Sequence, residues 1–289
     1  MKTYLDCFPC FLRQALEAAR MVEADEERQR MILDRTMALL RDAPLESTPP
    51  EIGDRVHRIV RELTDNSDPY APAKAKSTRE ALRLYPRLRA LVTEGGDWLE
   101  RAVRIAIAGN VIDLAPAADF DIEETLESLL YQPFAINDIA AFRKVLLGAR
   151  SVLYLGDNAG ETVFDRVLIE MLDLPVIYAV KGGPILNDAT LEDALAAGLD
   201  EVAEVVSTGS DAPGTLLNKC SAEFRALYER ADLVIAKGQA NYETLSEEGE
   251  QIFFLLKVKC PVIARDVGAP VGSIVLKQGS NRNLERGGD

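Results

Sequence analysis

At positions 157 and 158 an aspartate and an asparagine stand together, directly after an apolar run (151–155) and a glycine. They are followed by an amphipathic run (162–172) with Glu161 at its entrance. The pattern reads as strand, turn, helix. It puts Asp157, Asn158 and Glu161 at the rim of an open α/β sheet, where ligands bind. The pair also suits a simple turn and helix cap. Weight comes from the residues at the ends of the other apolar runs. KGGPILNDAT (181–190) supplies Asp188, and STGSD (207–211) supplies Ser207 and Thr208. KGQANYE (237–243) supplies Lys237, and Lys257 ends a fifth run. Parallel strands would bring all of these ends to one edge.

Asp157, Asn158 and Asp188 offer oxygen ligands only, the set a hard divalent cation such as Mg²⁺ or Mn²⁺ takes. Ser207, Thr208 and Gly209 offer hydroxyls and backbone amides to an anion. Lys237 and Lys257 offer positive charge. A cation, lysines and a glycine-rich loop are what phosphoryl chemistry needs, because they offset charge on phosphate oxygens and orient a water. Asn110, a polar residue in an apolar helical stretch, is either a helix C-terminal signal after Gly109 or a hydrogen-bonding group that reaches this site. Taken singly, Asp188 could be only an N-cap, Lys257 a solvated edge lysine, and Asp211 part of a turn.

The elements that must position these groups fall into two parts. Residues 3–148 read as helical, with periodic apolar positions over 11–21, 31–40, 56–63, 81–92, 98–107 and 122–130. Pro44, Pro49, Pro50, the 66–72 stretch and Gly95 with Gly96 break them. After Gly148, short runs rich in strand formers (151–155, 176–180, 202–206, 233–236, 252–256, 274–276) alternate with helical segments. This predicts an α/β fold: a three-layer α/β/α domain with a mostly parallel sheet, preceded by an N-terminal helical domain. The expected division is 1–148 helical, 149–278 α/β with the metal and phosphate site, and 279–289 a polar, frayed tail.

Composition narrows the function. The 289 residues carry a net charge of −14 and no basic block, which disfavours nucleic acid. No apolar run approaches the roughly 20 residues of a membrane span, and no apolar leader opens the chain. Four cysteines without such a leader fit a reducing, cytoplasmic setting. The single histidine, His57, excludes a His-rich zinc site, so acid–base work falls to carboxylates and lysines. CFPC (7–10) opens the first helix, and such a pair is half of a zinc site, a redox pair, or two buried thiols.

Together, CFPC, the Gly109–Asn110 pair, GDNAGE (156–161), Asn187–Asp188, KGQANYE and LLKVKCP (255–261) resemble the damage-control phosphatase family, long known as domain of unknown function eighty-nine. The similarity is to its prokaryotic, C-x-x-C-bearing branch and spans about 3–277. It implies a metal-dependent phosphatase acting on small phosphorylated metabolites, among them sugar phosphates, phosphopantetheine-like compounds and damaged side products. By that likeness Asp157, Asn158 and Asp188 hold a divalent cation (Mg²⁺, Mn²⁺, Co²⁺ or Ni²⁺), and Glu161 lines the substrate pocket. Gln239 to Glu243, Asn241 included, and Lys257 match its substrate-contacting segments. Eukaryotic relatives have arginine where this chain has Glu243, which implies a different leaving group. Two rivals stand beside this reading. One is an S-adenosylmethionine-dependent carboxyl methyltransferase, an activity also attached to the family. The other is a non-catalytic protein built around zinc on Cys7 and Cys10. The oligomeric state is not legible.

Overall fold

A computed structural model describes residues 1–112, 128 and 130–281. The expected helix over 122–130 therefore lies almost wholly outside the described residues, as do residues 282–289 of the tail. The helical half begins as expected, with α1 (Cys7–Met21), α2 (Glu26–Arg41), α3 (Pro49–Thr64), α4 (Ala71–Thr93) and α5 (Trp98–Ile112). Thr48 and Glu51 close a capping box at the start of α3, and Pro49 sits at its first turn, where a missing N–H costs nothing.

Beyond α5 come β1 (Phe134–Asn137), α6 (Ile139–Gly148), β2 (Val152–Leu155), α7 (Thr162–Ile169) and β3 (Val176–Val180). They are followed by α8 (Leu191–Ala196), β4 (Glu204–Ser207), α9 (Ala222–Arg230) and β5 (Leu233–Lys237). The chain closes with α10 (Gly238–Leu245), β6 (Ile252–Lys257), α11 (Pro261–Val267) and β7 (Ile274–Gln278). All six expected strands form. The helical reading of 134–137 is corrected, because these four residues are β1, paired parallel with β7 from Phe134↔Ile274 to Asn137↔Leu276. So short a run, directly before a helix, has no period of its own to betray it. The sheet therefore begins ahead of residue 149.

The strand order is β1-β7-β6-β5-β2-β3-β4, parallel throughout except where β6 meets β7. The chain runs outward from β2 through β3 to β4, then returns to the other side of β2 to lay down β5 and β6. The order thus reverses between β2 and β5, and a crevice opens there at the carboxyl ends of the strands. The strands alternate faces. Tyr154, Ile235, Phe253 and Leu255 face one core with α4, α5 and α7, while Leu155, Ala236, Phe254 and Leu256 face a second core with α9 and α10. Burial on both faces is why these strands read as apolar runs. Helices α1 to α3 enclose a smaller core of their own around Phe11, Ile32 and Val56. Arg58 and Arg61 of α3 tie it to the sheet through Asp211, at 2.6 and 3.1 Å, so that residue is an anchor as well as part of a turn.

His57 is buried on α3, edge-on to Tyr70 at 6.5 Å, and its Nε2 has no partner. Burial, reinforced by the Arg61 charge, pushes its pKa down to about 4. A base depressed in the folded state binds its proton better unfolded, so stability falls as pH drops from the unfolded value towards about 4. The shift corresponds to about 3 kcal/mol. Urea unfolding at pH 7 and pH 4 should show His57→Gln losing less on acidification than wild type by roughly that amount. Equal losses would refute the assignment.

Candidate active site

Asp157 and Asn158 leave the end of β2, and Asp188 stands on the loop between β3 and α8. The backbone laces these corners together. Ala189 N donates to Asp157 O at 2.8 Å, Ala159 N donates to Asn187 O at 2.9 Å, and Asn158 and Asp188 form an antiparallel bridge. All three side chains are buried.

Glu161 is the hub beneath them. Its Oε1 accepts from Asn110 Nδ2 at 2.6 Å and from Asn158 Nδ2 at 2.7 Å, and its Oε2 accepts from Lys237 Nζ at 3.0 Å. Fully buried and fully bonded, it is not a pocket-lining group, as the family likeness had implied. It fixes two carboxamides by their nitrogens instead, which leaves their oxygens as the free acceptors. Asn110 Oδ1 is indeed buried without a donor, and Asp188 Oδ2 has the Lys181 ammonium 3.4 Å away.

Asn110 reaches the site because α5 does not end at Gly109 but runs on to Ile112. A Cβ on Gly109 would meet the Phe164 ring at 3.1 Å, so the glycine lets α5 press against α7. Asn110 Nδ2 also lies 3.2 Å from Asp157 Oδ2.

Three other expected ligands are used differently. Lys237 is fully buried, with Nζ on Glu161 and 2.5 Å from Asp165 Oδ1, so it neutralises the floor of the site and is not open to a phosphate. Asn241 donates to Gly156 O (3.2 Å) and Lys237 O (2.7 Å) and accepts from Thr215 Oγ1 (2.8 Å). Its amide clamps β2 to β5 and has nothing left for a substrate. Ser207 is exposed at the end of β4, where its Oγ accepts from Gly209 N within the loop, and it stands on the wall of the cleft that Lys181 also lines. The corrections share a cause: a polar group at a strand end is as readily consumed by neighbouring carboxylates or by the crowded backbone there as by a ligand.

Lys257 is half-buried, and its pKa is pushed down by burial and by Lys259. Lys259, which the strand reading passed over, is exposed, and its charge acts on Asp157. Its spacing of two from Lys257 was the available signal. Also missed were Lys181, 3.4 Å from Asp188 Oδ2, and Asp165. Asp165 accepts from Tyr154 and Tyr178 hydroxyls, each at 2.8 Å, as well as from Lys237. A lone aspartate in the apolar stretch TVFDRVLI was its sequence signature.

Crowding sets the electrostatics. Burial, then Glu161 and Asp188, pushes the Asp157 carboxyl well above the usual carboxylate range. Burial raises Asp188 to about 6 against the pull of Lys181. Burial works against the Lys237 ammonium, but Asp165 and Glu161 outweigh it and raise its pKa. Oxygen acceptors without donors and carboxylates that repel one another are what a cation site looks like when its donors are hard oxygens. Among the described residues no three His, Cys, Asp or Glu side chains are poised to hold a metal by themselves. An ion here would therefore need the Asn158 amide oxygen, with water or substrate completing its shell.

Gly238, the first residue of α10, lies in the left-handed region at φ +76°, and a Cβ on it would sit 1.8 Å from Asp157 Oδ2. Gly238→Ala should displace that carboxylate. The expected loss is roughly 10²-fold in turnover, the scale of a misplacement near 1 Å. The test compares rates and thermal melts, and a fully active, stable variant would remove Gly238 from the site.

Beside this corner a cleft of about 570 Å³ opens between α4 and the β3–α8 loop, with Lys74, Thr78, Lys181 and Gly182 among its walls. The buried Thr78 hydroxyl has no partner. No described helix is long and apolar enough to cross a membrane.

The chain as a whole has counterparts among known proteins. The model of the damage-control phosphatase ARMT1-like domain matches residues 3–275. An uncharacterized protein of Methanocaldococcus jannaschii is 40% identical over 288 residues, covering 94% of this chain and 93% of its own. A damage-control phosphatase of Pyrococcus horikoshii is 36% identical, covering 95% and 97%, and one of Archaeoglobus fulgidus is 34% identical, covering 94% and 97%. The crystal structure of a DUF89 family protein from Pyrococcus horikoshii superposes with a TM-score of 0.89 at 34% identity, over 97% of this chain and 100% of that one. With identity, coverage and fold in agreement from one end of the sheet to the other, this chain belongs to the damage-control phosphatase ARMT1-like (DUF89) family.

Proposed function

We propose that the protein is a metal-dependent phosphomonoesterase acting on small phosphorylated metabolites. The observation that carries the proposal is the meeting of Asp157, Asn158 and Asp188 at the β2/β5 crevice, with the buried, donor-free Asn110 Oδ1 beside them. Relatives named damage-control phosphatase support the phosphatase role. Asp157, Asn158 and Asp188 would hold the divalent cation, which when bound offsets phosphate charge and lowers the pKa of water.

The chain's own groups do the rest. Glu161 holds the Asn110 and Asn158 amides so that oxygens face the crevice. Lys237 bridges that hub to Asp165 and fixes it in a dry environment. Lys259, exposed beside Asp157, binds phosphate oxygens, with Lys257 next to it on the strand end. Lys181 anchors Asp188 and opens onto the cleft under Thr78, which takes the organic remainder of the substrate.

The test is hydrolysis of p-nitrophenyl phosphate with Mg²⁺, Mn²⁺, Co²⁺ or Ni²⁺, against EDTA and against Lys259→Ala. Turnover that requires the cation and weakens in KM in the variant is expected. Turnover indifferent to EDTA would end the metal-dependent reading.

A further inference from the structure

CFPC opens α1 outside the site just described, and nothing in the proposed reaction uses it. Cys7 and Cys10 lie one turn apart on the same helix face. Both are free and half-buried. Arg13 and Gln14 reach the Cys10 sulfur at 3.7 and 3.4 Å. Asp6 makes no side-chain cap at the helix start, where Cys7 N donates to Tyr4 O at 2.9 Å and Phe8 N to Leu5 O at 3.1 Å. Two cysteines three apart in a first turn need only a local adjustment to bring their β-carbons to disulfide spacing.

This turn is fastened to the rim of the candidate active site. Asp6 pairs with Arg265 of α11 at 2.7 Å, and Arg265 stacks over the Tyr4 ring at 5.2 Å. Gln239, beside the Gly238 that touches Asp157, divides its Nε2 between Glu243 Oε1 at 2.9 Å and Cys260 Sγ at 3.8 Å. Burial is the largest influence on the Cys7 thiol and pushes its pKa up, and the neighbouring Glu243, Cys260 and Cys10 add to the rise.

We propose that Cys7 and Cys10 are an oxidisable dithiol, closed to an intrachain disulfide by exchange with a small-molecule disulfide. The Cys10 thiolate attacks one sulfur of the oxidant. That S–S bond breaks, and the first thiolate leaves and is protonated. Cys7 then gives up its proton and attacks the Cys10 sulfur of the mixed disulfide, releasing the second thiol. The net change is one protein disulfide formed and two small thiols released. Closure draws in the first turn of α1 and shifts the Glu243–Gln239 pair, so oxidation lowers kcat/KM. That last clause rests on the phosphatase reading; the exchange itself does not.

The test incubates the reduced chain with oxidised glutathione, alkylates it and maps the peptides. Expected is a Cys7–Cys10 disulfide with two of the four thiols lost to alkylation. Cys7→Ser should halt at glutathione bound to Cys10, and Cys10→Ser should form neither product. A Cys7–Cys260 cross-link, four alkylated thiols, or zinc at one per chain shielding the pair would each overturn the proposal. Activity toward p-nitrophenyl phosphate should fall on oxidation, recover with dithiothreitol and stay constant in Cys10→Ser. A dithiol that closes in a chain with no phosphatase activity in either state would sink the phosphatase reading alone.

Discussion

Asp157→Asn should cost about three orders of magnitude in phosphomonoester hydrolysis, from several kcal/mol of lost charge stabilisation at about 1.4 kcal/mol per decade. The substitution keeps the shape of the corner and its backbone bonds to Ala189, so folding is preserved. It removes one of two carboxylates that repel each other where the β2 end is bridged to the Asp188 loop. Stability separates this outcome from simple damage. Without a cation, Asp157, Glu161 and Asp188 repel one another in a buried space. In EDTA the variant should therefore melt no lower than wild type. On adding Mn²⁺, wild type should gain about 3 kcal/mol at one hundred times its Kd, and the variant little. Asp188→Asn should behave alike. A variant that retains both the rate and the Mn²⁺-induced rise in Tm would remove the cation from this corner.

Lys237→Met should be the most destabilising single substitution beneath the site. Lys237 Nζ lies 3.0 Å from Glu161 and 2.5 Å from Asp165, and all three side chains are fully buried. Removing the ammonium leaves two carboxylates without their counterion, a loss of about 3–5 kcal/mol. The size of the loss does not mean the trio stabilises by that amount, since burying it had its own cost. The double variant Lys237→Met with Asp165→Asn distinguishes the two. The amide still accepts from Tyr154 or Tyr178 without adding charge, so the double variant should recover part of the loss. The urea midpoint at pH 7 measures both. A single variant as stable as wild type, or a double variant less stable than the single one, would refute a charge-balancing role for Lys237.

The period of the apolar residues was enough to place α1 to α5 and six of the seven strands, because burial on one or two faces writes itself into spacing. It was also enough to bring Asp157, Asn158 and Asp188 forward, since parallel strands point their ends the same way and oxygen-bearing residues there stand out. Four residues of β1 were too few to carry a period. Sequence could not say which polar groups at that rim remain free. Lys237, Asn241 and Glu161 look like ligands in the linear chain, yet in the fold each is consumed by a partner far away in it: Asp165, Gly156 and Asn110. Lys259, by contrast, emerges only because β6 ends where its charge faces Asp157. Hydrogen-bond capacity is a local property and can be read from the chain. Its allocation is decided by what packing brings within about 3 Å, and only the tertiary structure makes that choice.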